Sequence, residues 1–167
     1  MKILQLTDCH IFSTPAMTLH GHPTHHHLEK TISYILEHEK LACEAVLVTG
    51  DISQDGSLAS YQLVLKQIER LELPVFYIAG NHDDPDHLAF IFNSSPVVNH
   101  INQLCLDNWR FIAVNTIQPG KDIGWLAAQE LARLEQQILT SQAIILRWSC
   151  IITPCRWVYL WWMIAGY

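Results

Sequence analysis

The sequence predicts an α/β fold built on a parallel sheet. Three observations predict it. Short apolar runs of strand length alternate with segments whose apolar residues recur at helical spacing. The order opens strand, helix, strand, helix, strand, which right-handed βαβ crossovers turn into parallel neighbours. Each of the first three runs then stops at small or polar residues: Thr7-Asp8-Cys9-His10, Gly50-Asp51 and Gly80-Asn81-His82-Asp83. The carboxyl edge of a parallel sheet is where open α/β folds hold their ligands.

The elements follow in order. Lys2–Leu6 reads as the first strand, and a loop rich in Pro, Thr and His runs on to Thr24. Thr24 is the expected N-cap of a helix from about His25 to Lys40, with Leu28, Ile32, Ile35 and Leu36 on one face. Ala45–Thr49 is a second buried strand. Ser57 or Ser60 starts a second helix carrying Tyr61, Leu65, Ile68 and Leu71. Pro74–Ala79 is the third strand. Asp84 followed by Pro85 predicts a capped short helix over 85–92. Leu104–Leu106, Asp107-Asn108 and Trp109–Asn115 read as a hairpin. A long helix over about Trp125–Leu139 carries Leu126, Leu131, Leu134 and Ile138, and Ala143–Leu146 begins a further strand.

Composition narrows the function. The 167 residues suffice for one domain with a sizeable core. A net charge of −6 argues against a nucleic-acid partner, since a general binder would be basic. A phosphorylated small molecule remains open, because metal ions can supply positive charge locally. The five cysteines are odd in number and lack tight spacing, which fits reduced thiols in a cytoplasmic protein. Asp8 interrupts the first apolar run before a signal peptide could form.

The strand ends carry the chemistry. Asp8 and His10 sit two apart in an extended segment, so their side chains share a face. Asp51 follows the second strand, and Asn81 and His82 follow the third. Strands about 4.8 Å apart would bring these groups together. Carboxylate, imidazole and amide donors suit Mn²⁺, Fe or Zn²⁺. Two ions about 3.5–4 Å apart can clamp a phosphoryl group. His25-His26-His27 looks like a metal tract, but successive residues of a first helical turn face different ways, so a solvated helix start is expected. His20 and His22 are candidates to approach a substrate. Asp55 reads as a loop or cap residue.

Asp8-x-His10, Gly50-Asp51 and Gly80-Asn81-His82-Asp83 together resemble the calcineurin-like metallophosphoesterases. The resemblance is closer still to the bacterial class III cyclic-AMP phosphodiesterases, through Thr7-Asp8-x-His10, Gly50-Asp51-Ile52-Ser53-Gln54-Asp55 and Tyr61-Gln62. It covers roughly residues 1–146 and implies a βαβ sheet sandwich flanked by helices. By the resemblance, Asp8 and His10 hold a first divalent ion, Asp51 bridges two, and Asn81 binds the second. His82 faces the phosphate and protonates or stabilises the leaving oxygen, and Asp83 orients His82 through a hydrogen bond. The implied reaction is hydrolysis of a phosphodiester by metal-bound hydroxide, with 3′,5′-cyclic AMP giving 5′-AMP. Another metallophosphoesterase, acting on a nucleotide, glycerophosphodiester or lipid pyrophosphate, is the alternative.

The chain also departs from that pattern. The family needs three more histidines, and no histidine follows His100. The second ion loses most, so its site is expected to be incomplete and only the N-terminal portion of the fold to be present. An inactive fragment is the rival reading. The segment 147–167 contains four of the six tryptophans and no acidic residue. Its uncharged run 157–167 is 11 residues, too short to span a bilayer. Cys150-Ile151-Ile152-Thr153-Pro154 admits codons that read His-His-His-Pro when started at each third base. Trp157-Val158 and Trp162-Met163 must then give Gly and Asp. The tail is therefore expected to be an out-of-frame reading, tested by the DNA sequence across codons 140–167. Loss of the second half would leave one sheet face and strand edges uncovered, so low stability is expected.

Overall fold

A computed structural model of the chain describes residues 2–39, 42–101, 104–106, 109–118, 120–121, 123–140 and 145–149. Two compact units divide the chain, Met1–His100 and Ile101–Tyr167.

The first unit is a four-stranded parallel sheet in the order β1 (Ile3–Thr7), β2 (Ala45–Thr49), β3 (Val75–Ile78), β4 (Val98–His100). Helices α1 (Thr24–His38), α2 (Leu58–Ile68) and α3 (Pro85–Phe92) connect them. All five residues of β2 are buried, as a continuous Ala-Val-Leu-Val-Thr run inside a parallel sheet requires. Leu28, Ile32 and Ile35 of α1, Tyr61, Val64 and Ile68 of α2, and Leu88 and Phe92 of α3 join Val46, Val48 and Val75 in one apolar core. The phenol of Tyr77 and the ring of Phe92 meet edge to face, with centroids 5.1 Å apart.

The register positions the site. Thr7 pairs with Thr49, and Thr49 with Ile78, so the first three strands end level with one another. Pairing also outlasts the strands. Asp8 donates its N–H to Gly50 O (3.1 Å), His10 to Asp51 O (2.8 Å), Ile11 to Ile52 O (3.1 Å) and Gly50 to Ile78 O (2.9 Å). The loops that carry the candidate ligands are thus extensions of the sheet.

The sequence expectations hold for the strand–helix alternation, with local differences. Thr24 is the first residue of α1, not its cap. Pro23 stands at the cap without a side-chain hydrogen bond, and the Thr24 hydroxyl donates to His10 O at 3.0 Å. Ser57 caps α2 by accepting the Ser60 N–H. Asp84 caps α3 by accepting the N–H groups of Asp86 and His87, with Pro85 in the first turn. β4 was not expected: three residues after Pro96 carry too little pattern to signal a strand.

The second unit holds the hairpin β5 (Leu104–Leu106) and β6 (Trp109–Ala113), then α4 (Ala128–Leu139) and β7 (Ile145–Ser149), which pairs parallel to β6. α4 begins three residues later than its apolar pattern suggests, because Trp125 donates its N–H to Thr116 O and Ala127 is extended. Glu130 accepts the Asn115 N–H at 2.8 Å and pairs with Arg133, whose guanidinium also reaches Ala113 O. That network ties the start of α4 to the end of β6. Leu134 is buried with Ile112 and Val114, whereas Leu131 is 52% exposed. β7 continues to Ser149, past the expected boundary at residue 147. Ala143, the expected start of this strand, and residues 150–167 of the tail lie outside the described residues.

Candidate functional site

Three side chains converge where the first three strands end. Ligand-capable atoms of His10, Asp51 and His82 all lie within 4.8 Å of one another. His10 Nε2 is 3.9 Å from Asp51 Oδ2 and 4.0 Å from Asp8 Oδ1. The His10 and His82 rings meet edge to face at 5.2 Å. Donors about 2.1 Å from one ion can be at most about 4.2 Å apart, twice the bond length. His10 therefore lies within shared reach of both carboxylates.

The backbone shows what this arrangement costs. Asp8, His10 and Asp51 have φ of 53°, 46° and 45°, in the left-handed region, so Asp8 and His10 do not lie in the extended segment that the sequence reading gives them; β1 ends at Thr7 and a turn brings them together. Non-glycine residues held in that region cost about 1–3 kcal/mol each and cluster at functional sites. The inter-loop hydrogen bonds from Asp8 and His10 hold this geometry in place. Gly80 supplies the room. A Cβ built there would lie 2.2 Å from both the amide N and Oδ1 of Asp51. Only glycine lets the third loop close over the second.

The electrostatics point to a cation. Asp51 is fully buried; its Oδ1 accepts the His82 N–H at 3.1 Å, while Oδ2 has no hydrogen-bond partner. His10 Nδ1 is likewise buried and unpartnered. A buried carboxylate oxygen and a buried imidazole nitrogen left unmatched are costly in a folded protein. The unpartnered Asp51 Oδ2 faces His10 Nε2 at 3.9 Å, and a divalent ion between them suits this carboxylate and imidazole, so the residues present fit a metal. Among the described residues no second group of three His, Cys, Asp or Glu side chains has this spacing. Asn81 lies half-buried beside His82, in a turn closed by the Asp83 N–H to Gly80 O at 3.3 Å.

Asp83 requires a correction. The sequence reading has its carboxylate orient His82. Instead Asp83 is buried and accepts four hydrogen bonds: Gly80 N (2.7 Å), Ser53 N (2.8 Å), Ile52 N (3.1 Å) and Tyr61 OH (3.1 Å). Burial pushes its carboxyl above the usual range, against hydrogen bonds that favour the ionised form. Its work is to fasten the second and third loops and α2 together. The group at His82 is Gln54, whose Nε2 lies 3.1 Å from His82 Nδ1. The sequence offered one hint of Gln54, its place in the segment after Asp51, but nothing there shows which side chain crosses 28 residues to reach the histidine.

Other candidates fall away from the centre. His26 and His27 are exposed, as a solvated helix start requires, but His25 is not: its side chain is half-buried, with Nδ1 3.8 Å from Glu29, because it lies on the inner side of the first turn. His20 and Gly21 form a tight two-residue turn, both with positive φ, between the paired Leu19 and His22. Asp55 holds loops together, accepting the Ser13 N–H (2.8 Å) and the Ser57 hydroxyl (2.7 Å). Burial of Cys9 pushes its thiol up to about 12, with Asp83 and Asp8 adding to the shift, so it is an inert thiol beside the site.

The family model described as calcineurin-like phosphoesterase matches residues 1–145. A probable cyclic nucleotide phosphodiesterase of Vesicomyosocius okutanii is 31% identical over 142 residues, covering 85% of this chain and 57% of that protein. A probable cyclic nucleotide phosphodiesterase of Synechococcus is 32% identical over 138 residues, 83% of this chain and 52% of its own length. The 3′,5′-cyclic adenosine monophosphate phosphodiesterase CpdA of Pseudomonas aeruginosa is 32% identical over 136 residues, 81% and 49%. The chain spans about half the length of the curated relatives it matches.

Proposed function

The chain belongs to the calcineurin-like phosphoesterase family, and on that premise we propose that it hydrolyses a phosphodiester with the aid of divalent metal ions. A 3′,5′-cyclic nucleotide, cyclic AMP first, is the substrate we assign, following the activities named for its relatives. One observation carries the reading: His10, Asp51 and His82 meet at the carboxyl ends of parallel strands, with Asp51 Oδ2 buried, unpartnered and 3.9 Å from His10 Nε2.

Asp8, His10 and Asp51 would hold a first ion, and Asn81 would offer its amide oxygen to a second. Mn²⁺, Fe and Zn²⁺ each suit these donors. Bound there, the ions would neutralise phosphoryl charge and lower the pKa of water. Asp51, fixed by the His82 N–H, would set their position. His82 would donate a proton or hydrogen bond to the leaving oxygen. A cytoplasmic location accords with free Cys9, Cys43 and Cys105. No helix among the described residues is long and apolar enough to cross a membrane. Residues 1–146 would carry the metallophosphoesterase domain in part, with 147–167 foreign to it, in keeping with a family match that stops at residue 145.

A second reading, a fragment that binds one ion without turnover, is favoured by the lack of any histidine after His100. The experiment is hydrolysis of cyclic AMP by the purified chain with Mn²⁺, beside a glycerophosphodiester and a lipid pyrophosphate. Formation of 5′-AMP, lost in Asp51→Asn, is the expected result. Preference for another substrate overturns the cyclic-nucleotide assignment. At most one bound ion without turnover of any substrate supports the fragment reading.

A further inference from the structure

We propose that Gln54 is the positioning residue of His82 and sets which of its ring nitrogens carries the proton. The inference rests on the reading above, in which His82 acts on the phosphoryl group. Gln54 Nε2 lies 3.1 Å from His82 Nδ1. An amide nitrogen has hydrogens to donate and no lone pair to accept with, so Nδ1 is the acceptor of this bond. The proton of the neutral imidazole is then on Nε2, the nitrogen Gln54 leaves free.

This divides the labour in the cluster. An Nε2 that carries hydrogen has no lone pair for a metal, but it can donate to a phosphoryl or leaving oxygen. His10 and Asp51 therefore supply lone pairs, and His82 supplies a hydrogen. Proximity alone does not separate these roles, since all three residues satisfy the spacing of a metal group. A carboxylate in place of Gln54 would do the reverse: it would accept from Nδ1–H and leave the Nε2 lone pair free for an ion.

Gln54 is held firmly enough to impose this choice. Its own N–H donates to Ile11 O at 2.9 Å. Ser53, before it, donates its N–H to Asp83 at 2.8 Å, and Asp55, after it, accepts the Ser13 N–H at 2.8 Å. The backbone is thus pinned on both sides of a half-buried side chain.

The test is the His82 tautomer, read from long-range ¹H–¹⁵N correlations of the metal-free full chain above neutral pH. Wild type is expected to show the Nε2–H form. Gln54→Leu should relax it towards the mixture of a free imidazole. Gln54→Glu, nearly isosteric and so informative even if the leucine variant does not fold, should switch it to Nδ1–H. Gln54→Leu should also lower kcat for a phosphodiester about 10- to 100-fold with KM little changed. An Nδ1–H tautomer in wild type, or a tautomer indifferent to both substitutions, overturns the proposal. If that happens while His82→Ala abolishes hydrolysis, the proposal fails alone. If His82→Ala hydrolyses normally, the role of His82 fails and the proposal falls with it.

Discussion

Replacing Asp83 with alanine separates two accounts of this residue. In the structure its carboxylate receives three backbone N–H groups, from Gly80, Ile52 and Ser53, and the phenol of Tyr61. Each buried donor stripped of its acceptor costs roughly 1–3 kcal/mol. Four such losses would not sum fully, because water can enter the vacated space and the loops can relax. Asp83 has no cationic partner, so its removal strands no charge; four donors at about 1–3 kcal/mol each, adding only in part, put the expected loss for Asp83→Ala at about 3–5 kcal/mol. Domains are stable by only about 5–15 kcal/mol, so the loss is severe. Tyr61→Phe is the graded control. Its hydroxyl donates to Asp83 and accepts the Asp84 N–H at 2.8 Å, so about 1–3 kcal/mol should go. Urea unfolding, compared through midpoint and slope, measures both. A variant within about 1 kcal/mol of wild type that folds normally yet loses turnover would refute the clasp and return Asp83 to a role at His82.

Two further perturbations test the surroundings of the centre. Gly80→Ala places a Cβ 2.2 Å from the Asp51 N and Oδ1. Something must move by about 1 Å, so Mn²⁺ affinity should fall about 10- to 100-fold and stability by about 1–3 kcal/mol; unchanged affinity would show that the loops absorb the methyl elsewhere. For Asp55, burial would raise the carboxyl, but the Ser13 and Ser57 donors overrule it and hold it below its ordinary value of 3.8. A carboxyl lowered on folding contributes stability that is present above 3.8 and lost as pH falls towards its folded value. Asp55→Asn should therefore unfold at a lower urea midpoint near neutral pH and show a flatter decline in acid. Equal acid slopes in the two proteins would remove Asp55 from the account.

Much of the site is legible in the sequence, because its logic is local. A buried apolar run followed by Asp-x-His, Gly-Asp or Gly-Asn-His states both the strand and the donor at its end. The parallel register then aligns Thr7, Thr49 and Ile78, and convergence follows. Partners reached through space were not legible. Asp83 sits beside His82 in the chain, which invites pairing them, yet its carboxylate turns back to Gly80 and across to Ile52 and Ser53. Gln54 reaches His82 from another loop, and a glutamine in a turn looks like any solvated residue. The left-handed backbone at Asp8, His10 and Asp51 was equally hidden, since these residues carry no sign of it in their order. Thr24 shows the limit of cap rules: its hydroxyl does satisfy a backbone group, but one in the His10 loop rather than in its own helix. α4 starts late for the same kind of reason, because Trp125 is claimed by Thr116 before the helix can use it.

A titration of the full chain with Mn²⁺, followed by the electron paramagnetic signal of the free ion in wild type and Asp51→Asn, tests whether the strand ends hold a metal. Asp51 is the fully buried carboxylate with one unpartnered oxygen 3.9 Å from His10. A cation centre at Asp51 requires saturable binding by wild type and at least about tenfold weaker binding by Asp51→Asn. No saturable binding by wild type, or equal affinity in the variant, would contradict it.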